Sequence, residues 1–203
     1  METGRELLVA TRNAHKTSEI RAMLGERFSV RDLNDLPEAP EFAETGTTFR
    51  ENAALKAVGI SEVFPGLVLA DDSGLEIDAL DGAPGVYSAR YAGPGADDAA
   101  NNAKVLKALA EVPDAERTGR FRCAMVVAQG GKVRSHFSGA VEGRLLNALS
   151  GEKGFGYDPL FVPDGYTESF AVLGSAVKNE ISHRSRALSQ VVEWLEEKEP
   201  RQG

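Results

Sequence analysis

Cysteine is nearly absent from this chain. The only one, Cys123, allows no internal disulfide and completes no zinc pattern. It lies in the apolar run Phe121 to Val127, where a lone thiol reads as a small buried hydrophobe. The three histidines, His15, His136 and His183, lack the spacing of a zinc site. No apolar run reaches the roughly 18 residues needed to cross a membrane, and the N-terminus has no signal-peptide pattern. These absences predict a reducing, cytoplasmic location without membrane attachment. A Gly-x-Ser-x-Gly elbow is missing, which removes the usual signature of nucleophilic hydrolases. The chain also lacks internal repeats, low-complexity segments and interior linkers.

What is present is ordinary for a globular protein. The 203 residues are 42% hydrophobic and 27% charged, enough for a substantial core within one domain covering 1–203. The net charge of −8 argues against broad electrostatic binding to nucleic acid. It leaves room for a small polyanion in a local basic pocket.

Strands and helices alternate along the chain, which predicts an α/β fold with a mixed sheet. Leu7 to Ala10 reads as a strand, followed by a helix using Ile20, Met23 and Leu24. Ser29 to Leu33 is a second strand candidate, and Pro37 to Gly46 a loop. Thr48 and Glu51 have capping-box spacing, so a helix is expected to start there and run to about Val63. Leu67 to Ala70 reads as a buried strand closed by Asp71-Asp72, with Leu75 to Ala79 as a separate alternating strand. Gly82 to Gly95 reads as an ordered loop. A helix is expected over Asp97 to Val112, and strands over Arg120–Ala128 and Lys132–Val141 around the hairpin signal Gly130-Gly131. Leu160 to Val162 is a last strand. The final helix is expected from Ser182 to about Glu197.

Five groups of residues suggest chemistry. Asp71-Asp72 places two repelling carboxylates after a buried strand. A turn cap needs one acid, whereas a hard divalent cation is served by two. Thr11-Arg12-Asn13-Ala14-His15-Lys16 lies between strand and helix, where free N–H groups and the helix dipole suit phosphate. It is no Walker loop, because the glycines and the Lys-Ser/Thr pair are missing. A solvated helix start fits its spacing equally well. Asn52 and Lys56 share a helix face one turn apart. One reading has that pair lining a site; an exposed polar stripe is the commoner explanation. Gly154 to Pro159 sets Phe155 and Tyr157 among glycines, which suits a flat ligand stacking on an aromatic ring; a loop with buried aromatics is the other reading. Lys178 with Ser182-His183-Arg184 puts cationic or titratable groups near a helix start, against the dipole, and so calls for an anion partner or a functional reason; a solvated basic turn is the other reading.

In order, these blocks resemble the XTP/dITP diphosphatase family, the inosine triphosphate pyrophosphatase-like enzymes. The resemblance spans nearly the whole chain. It rests on Ala10 to Lys16, on Glu44-Thr45-Gly46 through Phe49 to Ala53 with Lys56-Ala57, and on Leu69 to Leu75. Gly82 to Tyr91, Phe155 to Pro159, and Lys178 through Ile181 to Arg184 complete it. The resemblance implies a homodimeric, Mg²⁺-dependent enzyme with an elongated mixed sheet flanked by helices, in two lobes around a central cleft. It implies cleavage of ITP, dITP and XTP to the monophosphate and pyrophosphate. Asp72 would be the catalytic acid group and a metal ligand, with Glu44 or Asp71 assisting on the metal and Lys56 on the phosphates. Thr11, Arg12, Asn13, Ala14, His15, Lys16, Ser73, Phe155, Gly156, Tyr157, Asp158, Lys178, His183 and Arg184 would bind substrate. One departure stands out. Relatives often carry two acids before Thr-Gly, but here the pair is Ala43-Glu44, so Glu41 or water would fill the second position.

Other readings compete. They are a Maf-like pyrophosphatase acting on modified pyrimidine nucleotides, a nucleotide-binding regulator without turnover, and a nucleic-acid-binding module. A substrate panel with pyrophosphate readout separates the first. Mg²⁺-dependent product release separates the second, and salt-dependent binding to single strands the third.

Overall fold

A computed structural model describes residues 5–198. Six strands pair in the order β2-β1-β3-β4-β5-β6. They are β1 (Arg5–Val9), β2 (Phe28–Asp32), β3 (Leu67–Ile77), β4 (Thr118–Gln129), β5 (Lys132–Leu145) and β6 (Phe161–Pro163). The helices are α1 (Ala14–Leu24), α2 (Phe49–Val63), α3 (Asp98–Ala108), α4 (Phe170–Ile181) and α5 (His183–Lys198). β1 runs parallel to both β2 and β3, whereas β5 and β6 are antiparallel. The sheet is therefore mixed and helix-flanked, as the alternation of elements predicts. The chain folds as two compact units, the first made of residues 1–72, 123–139 and 185–203, the second of 73–122 and 140–184.

In the first unit the sheet is covered on both faces, and the sequence shows why. Strand side chains alternate between faces. Leu7, Val9, Leu69, Cys123, Met125 and Val127 pack with Ile20 and Leu24 of α1 and with Ala187, Leu188, Val191 and Leu195 of α5. The intervening Leu8, Ala10, Val68, Ala70, Val126 and Ala128 pack with Ala53, Ala57 and Ile60 of α2. Both sets are apolar, so these strands read as continuous apolar runs. α1 leads from β1 to β2 and α2 from β2 to β3. They lie on opposite faces, so the strand order reverses at β1. Open α/β sheets bind ligands at such a reversal, beyond the carboxyl ends of the strands.

The second unit packs Leu75 and Ile77 of β3, Phe121 of β4 and Val141 and Leu145 of β5 with Val105 and Leu109 on the α3 side and Phe170 of α4. Arg117 is buried here, and its guanidinium donates to the carbonyls of Leu109 (2.7 Å) and Val112 (3.0 Å). Those carbonyls follow α3, and the Leu109 carbonyl also accepts from the Val112 N–H at 3.0 Å.

Several elements differ from expectation, among them β5, which runs to Leu145 rather than Val141. β3 does not end at the acid pair but continues to Ile77. Its two acids alternate across the faces, so neither interrupts the strand. α3 stops at Ala108, short of Val112. α4 gave no clear sequence signal, since Gly174, at φ 82°, breaks its helical pattern midway. The capping box at Thr48, the β4–β5 hairpin and α5 lie where their signals place them.

Candidate functional site

The first unit gathers acids and lysines where β1 ends beside the middle of β3. Asp71 continues the face of Leu67 and Leu69, and Asp72 the face of Val68 and Ala70. The doublet is thus divided between the two sides of the sheet. Asp71 is fully buried. Its carboxylate meets Lys16 Nζ of α1 at 3.2 Å and lies 4.0 Å from Cys123 Sγ. Asp72, 6% exposed, turns toward α2. There Asn52 Nδ2 donates to its Oδ2 at 3.1 Å, and Lys56 Nζ stands 3.7 Å from its Oδ1. Lys56 also donates to Glu44 Oε1 and to the backbone carbonyl of Asp71, both at 2.9 Å.

Burial decides the titration of this cluster. It pushes the Asp72 carboxyl above the ordinary aspartate range. Glu44 adds to that, and Lys56, Lys16 and the Asn52 amide offset only part of it. Burial pulls Lys56 down, but Asp72, Glu44 and Asp71 outweigh it and hold the ammonium above the ordinary lysine range. Lys56 therefore stays charged, while Asp72 is a stronger base than an exposed aspartate.

The segment Thr11–Lys16 supplies the opening of α1. Asn13 caps the helix, its Oδ1 accepting from the N–H groups of His15 (3.0 Å) and Lys16 (3.2 Å). Thr11 Oγ1 accepts from the Asn13 N–H. Ala14 begins the helix and is exposed, as is His15. Arg12 spends its guanidinium on the carbonyls of Leu33 (2.8 Å) and Ala39 (3.1 Å), with Glu41 3.8 Å away. It ties the loop after β2 to the end of β1.

The second unit holds a separate cluster around Phe155. Lys178 Nζ and Asp158 Oδ2 form a buried pair at 2.6 Å, and the Phe155 N–H donates to the same oxygen at 3.0 Å. Lys178 Nζ also lies 4.4 Å from the centre of the Phe155 ring, and the Arg184 guanidinium carbon 5.9 Å from it. Arg184 is 1% exposed and donates to Ser73 Oγ at 2.9 Å. His183 stacks on Phe121 with ring centres 5.0 Å apart. Gly154 has φ 80°, and a Cβ there would strike Asp158 Oδ2, so glycine is required on both counts. Tyr157 is buried and its hydroxyl donates to the Ser88 carbonyl at 2.7 Å. Burial first, then Tyr91 and Asp98, pushes its phenol upward. Of the two aromatics, only Phe155 keeps a half-buried ring.

Three supporting residues carry more than the sequence assigned to them. Asn52 is not on an exposed stripe but wholly buried. Asp98 Oδ2 accepts from the Gly156 N–H (2.6 Å), and Asn102 Nδ2 donates to the Gly156 carbonyl (2.8 Å). These two α3 side chains hold Gly156 at its N–H and at its carbonyl, in the two peptides that flank its Cα. The i, i+4 spacing of 98 and 102 was the available signal.

A divalent cation is tested by the donor set. Among the described residues, no group of three or more His, Cys, Asp or Glu side chains could hold a metal. Glu44 and Asp72, however, present hard carboxylate oxygens on either side of Lys56 Nζ. Two carboxylates fit Mg²⁺, which usually keeps waters and takes substrate phosphate oxygens for the rest of its shell. Asp71 is held on the opposite face.

The fold and these clusters define an α/β protein with a buried carboxylate–lysine site at a strand-order reversal. The Ham1 family profile matches residues 7–194, and the chain belongs to that family. A dITP/XTP pyrophosphatase from Oceanobacillus iheyensis is 49% identical over 94% of this chain and 98% of its own. One of the same name from Bacillus cereus is 49% identical over 97% and 98%. Among solved structures, the Staphylococcus aureus Ham1 protein superposes with a TM-score of 0.85 at 35% identity. It covers 96% of this chain and 100% of its own.

Proposed function

We propose that this chain hydrolyses non-standard purine nucleoside triphosphates, ITP, dITP and XTP, to the monophosphate and pyrophosphate, and so removes them from the nucleotide pool. What carries this reading is the 49% identity, over 94% of the chain, to a protein named dITP/XTP pyrophosphatase. The reading takes 1–203 as one nucleoside-triphosphate pyrophosphatase domain acting as a cytoplasmic homodimer. Among the described residues no helix is long and apolar enough to cross a membrane.

The side chains suit the chemistry. Asp72, made more basic by burial, accepts the proton of the water that attacks the α-phosphorus. Lys56 and Lys16 offset the charge of the triphosphate and of the leaving pyrophosphate. The N–H groups at the start of α1 add to that field. Mg²⁺, held by Glu44 and Asp72, supplies further charge neutralisation at the phosphate oxygens when bound. Most of the rate then comes from positioning and electrostatics.

Base selection falls to the Phe155 cluster. Phe155 offers a ring for stacking, with Lys178 and Asp158 fixing its loop. Arg184, or a backbone N–H of the Phe155 or His183 segment, donates to the 6-keto oxygen of inosine or xanthine. Adenine turns a 6-amino donor toward that donor and leaves both unpaired, a penalty of about 1–3 kcal/mol per buried group.

The test is turnover of ITP, dITP, XTP, ATP, dATP and GTP with and without Mg²⁺, reading pyrophosphate and monophosphate. Mg²⁺-dependent pyrophosphate release with a large kcat/KM preference for ITP over ATP is expected. Equal turnover of ATP and ITP, or release of orthophosphate instead, overturns it.

A further inference from the structure

One face of α2 is engaged along its length by the segment that precedes it. Asn52, Lys56 and Gly59 are spaced i, i+4, i+7 and share that face. Residues 46, 44 and 42 meet them in reverse order. The Gly46 N–H donates to Asn52 Oδ1 at 2.8 Å. Glu44 Oε1 accepts from Lys56 Nζ at 2.9 Å. The Phe42 ring occupies the place where a Cβ on Gly59 would stand. A Cβ on Gly46 would likewise lie 2.6 Å from Glu51 Cβ and 2.7 Å from Asn52 Oδ1. The segment and the helix thus approach through a glycine at each end, on opposite partners.

Next to Asn52 the contact is reinforced. Glu51 Oε2 accepts from Thr47 N–H (2.7 Å), Thr47 Oγ1 (2.9 Å) and Thr48 N–H (3.2 Å). The Thr47 backbone bond first, then its hydroxyl, holds the Glu51 carboxyl below the ordinary range.

Asn52 is where this register reaches the site. Its Oδ1 holds Gly46, two residues from Glu44, and its Nδ2 donates to Asp72 Oδ2 at 3.1 Å. The side chain is wholly buried, and one amide uses both ends on partners fixed in space.

We propose that Asn52 is a positioning residue that sets Glu44 against Asp72, with the Phe42–Gly59 contact as the second anchor, so that the two carboxylates meet a divalent cation as a preset pair. The inference rests on the proposed metal-dependent reading. Asn52 touches neither substrate nor metal and acts through the two acids.

The test is Mn²⁺ binding by electron paramagnetic resonance on the nucleotide-free full chain, for wild type, Asn52→Leu and Phe42→Ala. Leucine keeps the branched outline of Asn52, with methyls somewhat larger than the amide oxygen and nitrogen, and removes both hydrogen bonds. Asn52→Leu is expected to weaken Mn²⁺ about 10–100-fold, the usual cost of losing a residue that orients metal ligands. It should lower kcat at saturating Mg²⁺ while KM for ITP changes little. Phe42→Ala, at a 36% exposed position outside the hydrogen-bond network, should shift both quantities the same way by less. It carries the test alone if Asn52→Leu fails to fold. A wild type that binds Mn²⁺ with folded variants that bind it equally overturns the inference and leaves the function standing. A wild type that binds no Mn²⁺ without nucleotide overturns the preset pair, and the metal-dependent reading is then decided by the Mg²⁺ dependence of turnover.

Discussion

Replacing Lys178 by Met should cost the second unit more stability than any single exposed ion pair could. Its ammonium lies 2.6 Å from Asp158 Oδ2, with the two side chains 5% and 2% exposed, so solvent screens the pair little. Methionine retains most of the volume and removes the charge. Asp158 then keeps the Phe155 N–H at 3.0 Å but loses the Lys178 ammonium. Leaving one partner of a buried pair charged costs about 3–5 kcal/mol. For a chain of this size that lowers Tm by roughly 6–20 °C. Adding Asp158→Asn removes the charge yet keeps an acceptor for Phe155, and should restore most of the loss. Urea unfolding at pH 7.5 of wild type, the two single variants and the double variant measures the coupling. A Lys178→Met deficit below about 1 kcal/mol, the range of an exposed pair, would refute the reasoning.

The other predictions concern the reaction. Asp72→Asn should lower kcat severely while, without metal, it raises stability at neutral pH. The raised carboxyl makes the charged form a cost that is full above its folded pKa and gone below the unfolded one; near-normal turnover, or a stability loss at pH 7.5, counts against that role. Arg184→Ala should shrink the kcat/KM preference for ITP over ATP, measured on folded protein because the 1% exposed guanidinium also supports the fold. An unchanged ITP/ATP ratio would remove Arg184 from base selection.

Local signals in the sequence were legible because the same residues carry both signal and structure. The Thr48–Glu51 spacing predicts reciprocal caps, and both bonds are present: Glu51 N–H to Thr48 Oγ1, and Thr48 N–H to Glu51 Oε2, each at 3.2 Å. Gly130-Gly131 predicts the β4–β5 turn, and both glycines take positive φ there. The reading failed where a residue's meaning depends on distant partners. Two adjacent acids look like a strand end until Lys16 from α1 and Lys56 from α2 reach them from opposite faces. The strand then runs through them.

The candidate site shows the same limit more sharply. Tyr157 and Phe155 are equivalent in a sequence of aromatics among glycines. Only the fold sends the Tyr157 hydroxyl to Ser88, 69 residues away, and leaves Phe155 beside the cations. Arg12 and Lys16 share one motif and carry one charge each. Arg12 is used on the carbonyls that follow β2, whereas Lys16 meets Asp71. Asn52 was visible as half of an i, i+4 pair with Lys56, and polarity on a helix normally means solvent. Its burial follows from the chain before α2, whose glycine at 46 leaves the backbone close enough for Oδ1 to take the N–H. A buried amide with one end on that backbone and the other on Asp72 is a constraint between two segments. No periodicity of either segment alone encodes it.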